Sequence, residues 1–128
     1  MRKKHVLVID DDSSLRDLIS LVVMQLGHQV TSSDNFENAL IGFSQSKYDL
    51  VITDLFMEGM GGIEGINVIR KEHPKVKIIA ISAGYDDISG DRALRAAKKM
   101  GADIVIAKPI DLDALSDAVS KLLPKKKD

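Results

Sequence analysis

The stretch VLVIDDDSSLR, residues 6–16, decides the fold. Val6 to Ile9 are apolar without interruption, three aspartates follow, and from Ser13 onward the apolar residues take up helical spacing. A continuous Val/Leu/Ile run suits a strand buried on both faces of a parallel sheet. Beyond the break, Leu15, Leu18, Ile19, Val22, Val23 and Leu26 recur at i, i+3, i+4, i+7, i+8 and i+11, the stripe of an amphipathic helix. Asp12, just before that stripe, reads as a helix cap or turn residue, and Gly27 sits where a helix C-terminal glycine belongs.

The same unit repeats along the chain. Five apolar runs are HVLVID (5–10), HQVTSS (28–33), YDLVITD (48–54), VKIIAIS (76–82) and DIVIAK (103–108). Four are nearly continuous in Val, Ile and Leu; the second is more polar and is expected at a sheet edge. Between and after them lie further helical stripes. The second is Phe36, Ala39, Leu40 and Phe43, and a weaker third is Ile63, Ile66 and Ile69. The fourth is Ala93, Leu94, Ala96, Ala97 and Met100, and the fifth is Leu112, Leu115, Ala118, Val119 and Leu122. Asn35 and Asp111 are placed as N-caps and Gly101 as a second C-terminal glycine. This (βα)5 alternation implies one parallel sheet with helices on both faces, and right-handed crossovers leave few ways to wind it.

Composition narrows the function. The chain has 128 residues, 45% apolar and 29% charged, the balance of an ordinary globular domain. It has no cysteine, which removes disulfides, thiolate metal sites and cysteine nucleophiles. A net charge of −1 gives no basic field for nucleic acid. No apolar run approaches a membrane span, and the basic N-terminus lacks the apolar stretch of a secretion signal. The expectation is a cytoplasmic protein with one domain over residues 1–123 and a basic tail over 124–128.

In open α/β sheets, ligands bind beyond the carboxyl ends of the strands. Here those ends carry Asp10, Asp11 and Asp12 on the first run, Asp54 on the third, Ser82 on the fourth and Lys108 on the fifth. Any one of these residues alone would be an ordinary cap or turn. Together they place several carboxylates, a hydroxyl and an ammonium on one rim. At ~4 Å and an effective dielectric of about 20, each carboxylate pair costs roughly 4 kcal/mol. A hard divalent cation is the natural reason for such crowding, and oxygen ligands favour Mg²⁺ or Mn²⁺ over Zn²⁺.

VLVIDDDSSLR, VITDLFMEGMGG (51–62), IIAISA (78–83) and IAKPI (106–110) appear in that order on four strand ends. On these motifs the chain resembles, over essentially its whole length, the receiver domain of bacterial two-component response regulators, of the chemotaxis-regulator type. The resemblance implies a flavodoxin-like, doubly wound five-stranded sheet of order 2-1-3-4-5. It implies that Asp54 is the phosphoacceptor and that Asp10 and Asp11 hold Mg²⁺, Asp11 directly and Asp10 largely through water. Asp54 and the backbone carbonyl of Phe56 would complete the protein's share of the metal shell. Ser82 matches the switch hydroxyl, Lys108 the phosphate-contacting lysine, and Lys108–Pro109 a peptide bond that is cis in the family. Partners implied are a histidine kinase or a histidine phosphotransfer protein. Downstream stands a protein effector that meets the face of the fourth helix, fifth strand and fifth helix, with no direct role for nucleic acid or membrane. No DNA-binding or catalytic output segment is read after residue 123, so the output is expected to pass through another protein.

Four departures qualify that likeness. Glu58 stands where proline is usual, Val105 replaces the usual aromatic switch residue, Ser82 replaces the commoner threonine, and the loop AGYDDISGD (83–91) is longer. Tyr85 in that loop is a candidate substitute for the missing aromatic, against the plainer reading of a surface loop residue. Met57 and Met60 are read as packing under the loop after Asp54, and His5, His28 and His73 as surface or packing residues. Glu58 and Val105 leave room for a pseudo-receiver that binds partners without phosphate. A small aspartyl-phosphate phosphohydrolase of the haloacid-dehalogenase type would need a second aspartate where Phe56 stands. The crowded carboxylates generate a direct expectation. Mg²⁺ raises the melting temperature by mass action, and Asp54→Asn raises that of the metal-free protein. A melting temperature indifferent to both would mean that the carboxylates do not share a site.

Overall fold

A computed structural model describes residues 4–41, 48–55, 62–82, 99 and 101–124. The chain runs β1 (His5–Ile9), α1 (Ser13–Gln25), β2 (Gln29–Ser33), α2 (Phe36–Ile41), β3 (Leu50–Asp54), α3 (Gly62–Glu72), β4 (Lys77–Ser82), β5 (Ile104–Ala107) and α4 (Leu112–Leu122). The helix α4 carries the fifth predicted stripe. The fourth stripe (93–100) and the end of the second, Phe43, fall outside the described residues. All strand pairs are parallel and their order is β2-β1-β3-β4-β5, the flavodoxin-like winding.

The continuous apolar runs have the burial they require. β3 is buried at every position, and β1 and β4 at all but their first residues. Alternate residues feed two cores. Leu7, Ile9, Val51, Ile78 and Ala80 face α2 and α3 through Phe36, Ile66 and Ile69. Val6, Val8, Leu50, Ile52, Ile79 and Ile81 face α1 and α4 through Ile19, Val23, Leu115 and Val119. β2 is the expected polar edge strand. β5 departs from its apolar reading: Ile104, Val105 and Ile106 are only half-buried and Ala107 is exposed, because β5 is the opposite edge of the sheet.

Caps fall where predicted. Asp12 accepts hydrogen bonds from the Ser14 and Leu15 amides at 3.0 and 3.3 Å, Asn35 from Asn38 at 2.7 Å, and Asp111 from Asp113 at 2.9 Å. Gly27 and Gly101 both adopt positive φ, 94° and 87°, which a side chain would oppose. Three stripe residues fall short of burial: Leu18, Ile63 and Leu112 are 40%, 48% and 39% exposed. For Ile63 the reason is geometric. Steps of three residues fall about 60° short of a full turn, so a stripe of Ile63, Ile66 and Ile69 drifts off the buried face.

α2 and α3 approach closely at Gly65. A Cβ built on Gly65 would lie 2.5–2.6 Å from the Phe36 ring, which is completely buried. Glycine inside a helix normally costs about 1 kcal/mol relative to alanine. Here contact decides the sign instead. Gly65→Ala is expected to lower stability by about 1–3 kcal/mol through overpacking, read from urea unfolding; a stabilised variant would show that the ring can move aside.

Candidate functional site: an acidic rim with one lysine

The site is built from strand ends. Asp10 follows β1 and is fully buried, its amide donating to the Ser33 carbonyl at 3.1 Å. Asp54 is the last residue of β3 and is 2% exposed. Its register partner on β4 is Ile81, and Ser82, the next residue, closes β4 at 3% exposure. Asp11 is exposed at the turn. Ligand-type oxygens of Asp10, Asp11 and Asp54 all lie within 4.8 Å of one another.

Lys108 completes the set. Its amide donates to the Ser82 carbonyl at 2.8 Å, which aligns the end of β5 with the end of β4. Its Nζ donates to Asp54 Oδ2 at 2.8 Å. The Lys108–Pro109 peptide bond is cis, as the resemblance implies. Burial is the largest single influence on the Lys108 ammonium and pulls its pKa down. The hydrogen bond and charge of Asp54, with the charges of Asp10 and Asp12, outweigh it, so the pKa is raised. The attraction is therefore fully present at neutral pH and is lost only as pH climbs through that raised value.

Asp10 is held differently. Its Oδ1 accepts the Asp12 amide at 2.9 Å, and its backbone carbonyl accepts Arg16 Nη1 at 2.7 Å. Its Oδ2 is buried without a hydrogen-bond partner among the described residues. Burial chiefly raises the Asp10 pKa, the Asp12 amide opposes this, and the charges of Asp54 and Asp11 add to the rise against the pull of Lys108. A buried, unpartnered carboxylate oxygen beside two more carboxylates fits a hard divalent cation.

Sequence reasoning pointed to Asp10, Asp11, Asp54 and Lys108, and the structure brings these four together. Ser82 stands on the same rim. Phe56, Met57, Glu58, Met60 and Tyr85 lie outside the described residues. Val105 is not at the rim; it packs against the α2/α3 core. His5, His28 and His73 are half-buried and away from the rim, His5 at the opposite end of β1, where its ring bonds Thr31 Oγ1 at 2.7 Å and leans on Tyr48. Arg16 was not singled out. The available signal was a cation in the first turns of a helix, where the macrodipole disfavours it unless another group holds it.

Comparison with known proteins agrees with this geometry. The sequence matches the response regulator receiver domain over residues 6–120. It is 31% identical to sporulation initiation phosphotransferase F of Bacillus subtilis (strain 168) over 126 residues, 98% of each chain. It is 33% identical to the response regulator protein FleR of Pseudomonas aeruginosa, over 91% of this chain but only 24% of FleR. Among solved structures, the receiver domain of the Francisella response regulator 1452 superposes with a TM-score of 0.81 at 27% identity, covering 94% of this chain and 96% of that one. The response regulator TrrA of Thermotoga maritima, in complex with Mg²⁺ and BeF, superposes with a TM-score of 0.79 at 32% identity, covering 93% and 98%. The chain belongs to the response regulator receiver domain family, a family of two-component signalling modules. Among the described residues, no helix is long and apolar enough to cross a membrane.

The raised Asp10 pKa has a sign for stability. Between the ordinary carboxylate value and the raised one, the folded state binds more protons than the unfolded state, so stability falls as pH rises through that window. Asp10→Asn keeps an oxygen for the Asp12 amide and removes the charge. It is expected to stabilise the metal-free protein at pH 7 on the order of 1 kcal/mol, a fraction of the roughly 3–4 kcal/mol that two charges under 5 Å apart cost at a dielectric of about 20. The gain is expected to vanish below the ordinary aspartate range. Urea melts in chelator at pH 7 and in acid check it, and equal stability of the two proteins at pH 7 would refute it.

Proposed function

We propose that the chain acts as a receiver that takes a phosphoryl group from a phosphohistidine onto Asp54 and thereby changes which protein it binds. The observation that carries this reading is the contact of Lys108 Nζ with Asp54 Oδ2 at 2.8 Å inside a carboxylate cluster 4.8 Å across. A buried carboxylate that already faces an ammonium is oriented for in-line attack, and the ammonium offsets charge on the incoming phosphoryl oxygens. In the transfer the P–N bond to the donor imidazole breaks and a P–O bond to Asp54 forms, giving an acyl phosphate. Asp10, Asp11, Asp54 and the Phe56 carbonyl would hold Mg²⁺, with Mn²⁺ as a substitute. The ion supplies neutralising charge for phosphoryl oxygens and for the carboxylates themselves. Ser82 would donate one neutral hydrogen bond to a phosphoryl oxygen.

The donor would be a histidine kinase or a histidine phosphotransfer protein in the cytoplasm. The output would run through the face of the fourth predicted helix, β5 and α4 to an effector protein. Val105, a half-buried aliphatic residue packed against the α2/α3 core, supports a route through Ser82 and the end of β4 rather than through a rotating aromatic on β5; Tyr85 is the remaining aromatic candidate. Slow loss of the phosphate by hydrolysis would reset the switch without making the chain an enzyme.

The test is incubation with acetyl phosphate and Mg²⁺ followed by intact mass. Wild type is expected to gain one phosphoryl group, and Asp54→Asn none. An unlabelled wild type, or equal labelling of the variant, removes the reading and leaves the phosphate-independent pseudo-receiver in its place.

A further inference from the structure

We propose that Arg70, at the end of the sheet opposite the acidic rim, is a positioning residue for Lys108, because it clamps the chain entering β5 and so fixes the register that carries Lys108 to Asp54. Arg70 stands in the last turn of α3. Its Nη1 donates to the carbonyls of Pro74 and Val76 at 2.8 and 2.7 Å. Its Nε and Nη2 both donate to the Gly101 carbonyl, at 3.1 and 2.7 Å, and Nη2 also reaches Asp103 Oδ2 at 3.2 Å. One guanidinium thus ties the turn before β4 to the turn before β5. The positive φ of Gly101 turns the chain beneath it, and a Cβ there would lie 3.6 Å from Arg70 Cγ.

Asp103 extends the clamp into the sheet. The same Oδ2 accepts the Ile78 amide at 2.8 Å, and the Asp103 amide donates to the Ile78 carbonyl at 2.8 Å. From there the register runs Ile79 to Ile104, Ala80 to Val105, Ile81 to Ile106 and Ser82 to Ala107, and ends with Lys108. β5 needs this anchor. It is an edge strand of four residues, none of them buried, so apolar burial specifies its register less firmly than that of β1 or β3. A slip of one residue moves the strand by about 3.3 Å, enough to part Lys108 from Asp54.

An ion pair as exposed as Arg70–Asp103 contributes little by itself. The effect lies in the planar fork on three carbonyls, which a lysine cannot reproduce. A merely structural Arg70 would weaken the whole fold; a positioning Arg70 weakens what Lys108 does.

The inference rests on the phosphoacceptor reading of Asp54, and two measurements separate the two. Wild type, Arg70→Ala, Lys108→Ala and the double variant are incubated with acetyl phosphate and Mg²⁺, at a temperature where circular dichroism shows each folded. Arg70→Ala is expected to slow labelling about tenfold, less than the roughly hundredfold that a 1 Å misplacement can cost. In the Lys108→Ala background the same change is expected to alter the rate less than about twofold, since coupled residues are not additive. Amide exchange gives a second readout that needs no phosphorylation: the Lys108 amide exchanges faster in Arg70→Ala while those of β1 keep their protection. Wild-type labelling of Arg70→Ala, the same fold loss in both backgrounds, or a uniform rise in exchange overturns the proposal. Should Arg70→Ala fail to fold, Arg70→Lys takes its place, with a smaller loss of the same pattern expected. If wild type takes no label, the phosphoacceptor reading fails and the exchange measurement alone decides the clamp.

Discussion

Electrostatic crowding at the carboxyl end of the sheet governs this structure. Asp10 and Asp54 are out of water, Asp11 is beside them, and the three approach within 4.8 Å. The repulsion of one such pair, roughly 3–4 kcal/mol at a dielectric of about 20, compares with the ~5–15 kcal/mol that separates a folded domain from its unfolded chain. Partial offsets come from several directions. Lys108 reaches Asp54 from β5, the Asp12 amide caps one oxygen of Asp10, and Arg16 reaches back from α1 to the Asp10 carbonyl. The N-terminal end of α1 delivers two of these offsets, through Asp12 and Arg16, and the end of β5 delivers the third. None removes the unpartnered Asp10 Oδ2, so the rim favours the arrival of positive charge.

Such crowding needs a frame that cannot relax. Alternate residues of β1, β3 and β4 are locked into opposite cores, so a strand could relieve the repulsion only by turning its apolar side chains to the wrong face. That rigidity keeps the carboxylates together without substrate and is the sense in which the site is preorganised. β5 is the exception. It leads directly into Lys108, which contacts Asp54, yet it lies at an edge and none of its four residues is buried. Hydrogen bonds at its two ends, Asp103 with Ile78 and Lys108 with Ser82, do for β5 what burial does for the interior strands.

This contrast also explains what could be read from the sequence. Interior strands announce themselves because double burial forces continuous Val, Ile and Leu, and Gly27 and Gly101 because a positive φ is costly for other residues. Asp54 and Lys108 were legible because charged residues that end apolar strands must share a rim in a parallel sheet. Leu18, Ile63 and Leu112 were overestimated, since spacing shows that residues share a stripe and not how wide the buried part of it is. Arg16 and Arg70 stayed hidden because their main acceptors are backbone carbonyls, which every residue carries. The contact of Gly65 with Phe36 joins α2 and α3, which β3 separates along the chain, and no local pattern encodes it.

The Lys108–Asp54 pair has a further consequence for switching. A partly buried ion pair adds little net stability, because desolvation opposes attraction. Its value is conditional: it exists while Asp54 is a free carboxylate. On the proposed reading, esterification moves the negative charge from Asp54 outward onto phosphoryl oxygens. The ammonium, with three donors on a flexible stem, can follow that charge, whereas its own backbone amide is tied to the Ser82 carbonyl. Motion of Lys108 is therefore felt at the end of β4, where the Ser82 hydroxyl is drawn toward the same oxygens. A phosphate shifts a conformational equilibrium only by the difference in its interaction with the two states. Here that difference would be concentrated in two side chains on neighbouring strands, joined by one hydrogen bond of 2.8 Å. An aromatic on β5 is not required for that coupling, which is how a chain with the half-buried Val105 at that position would still be a switch.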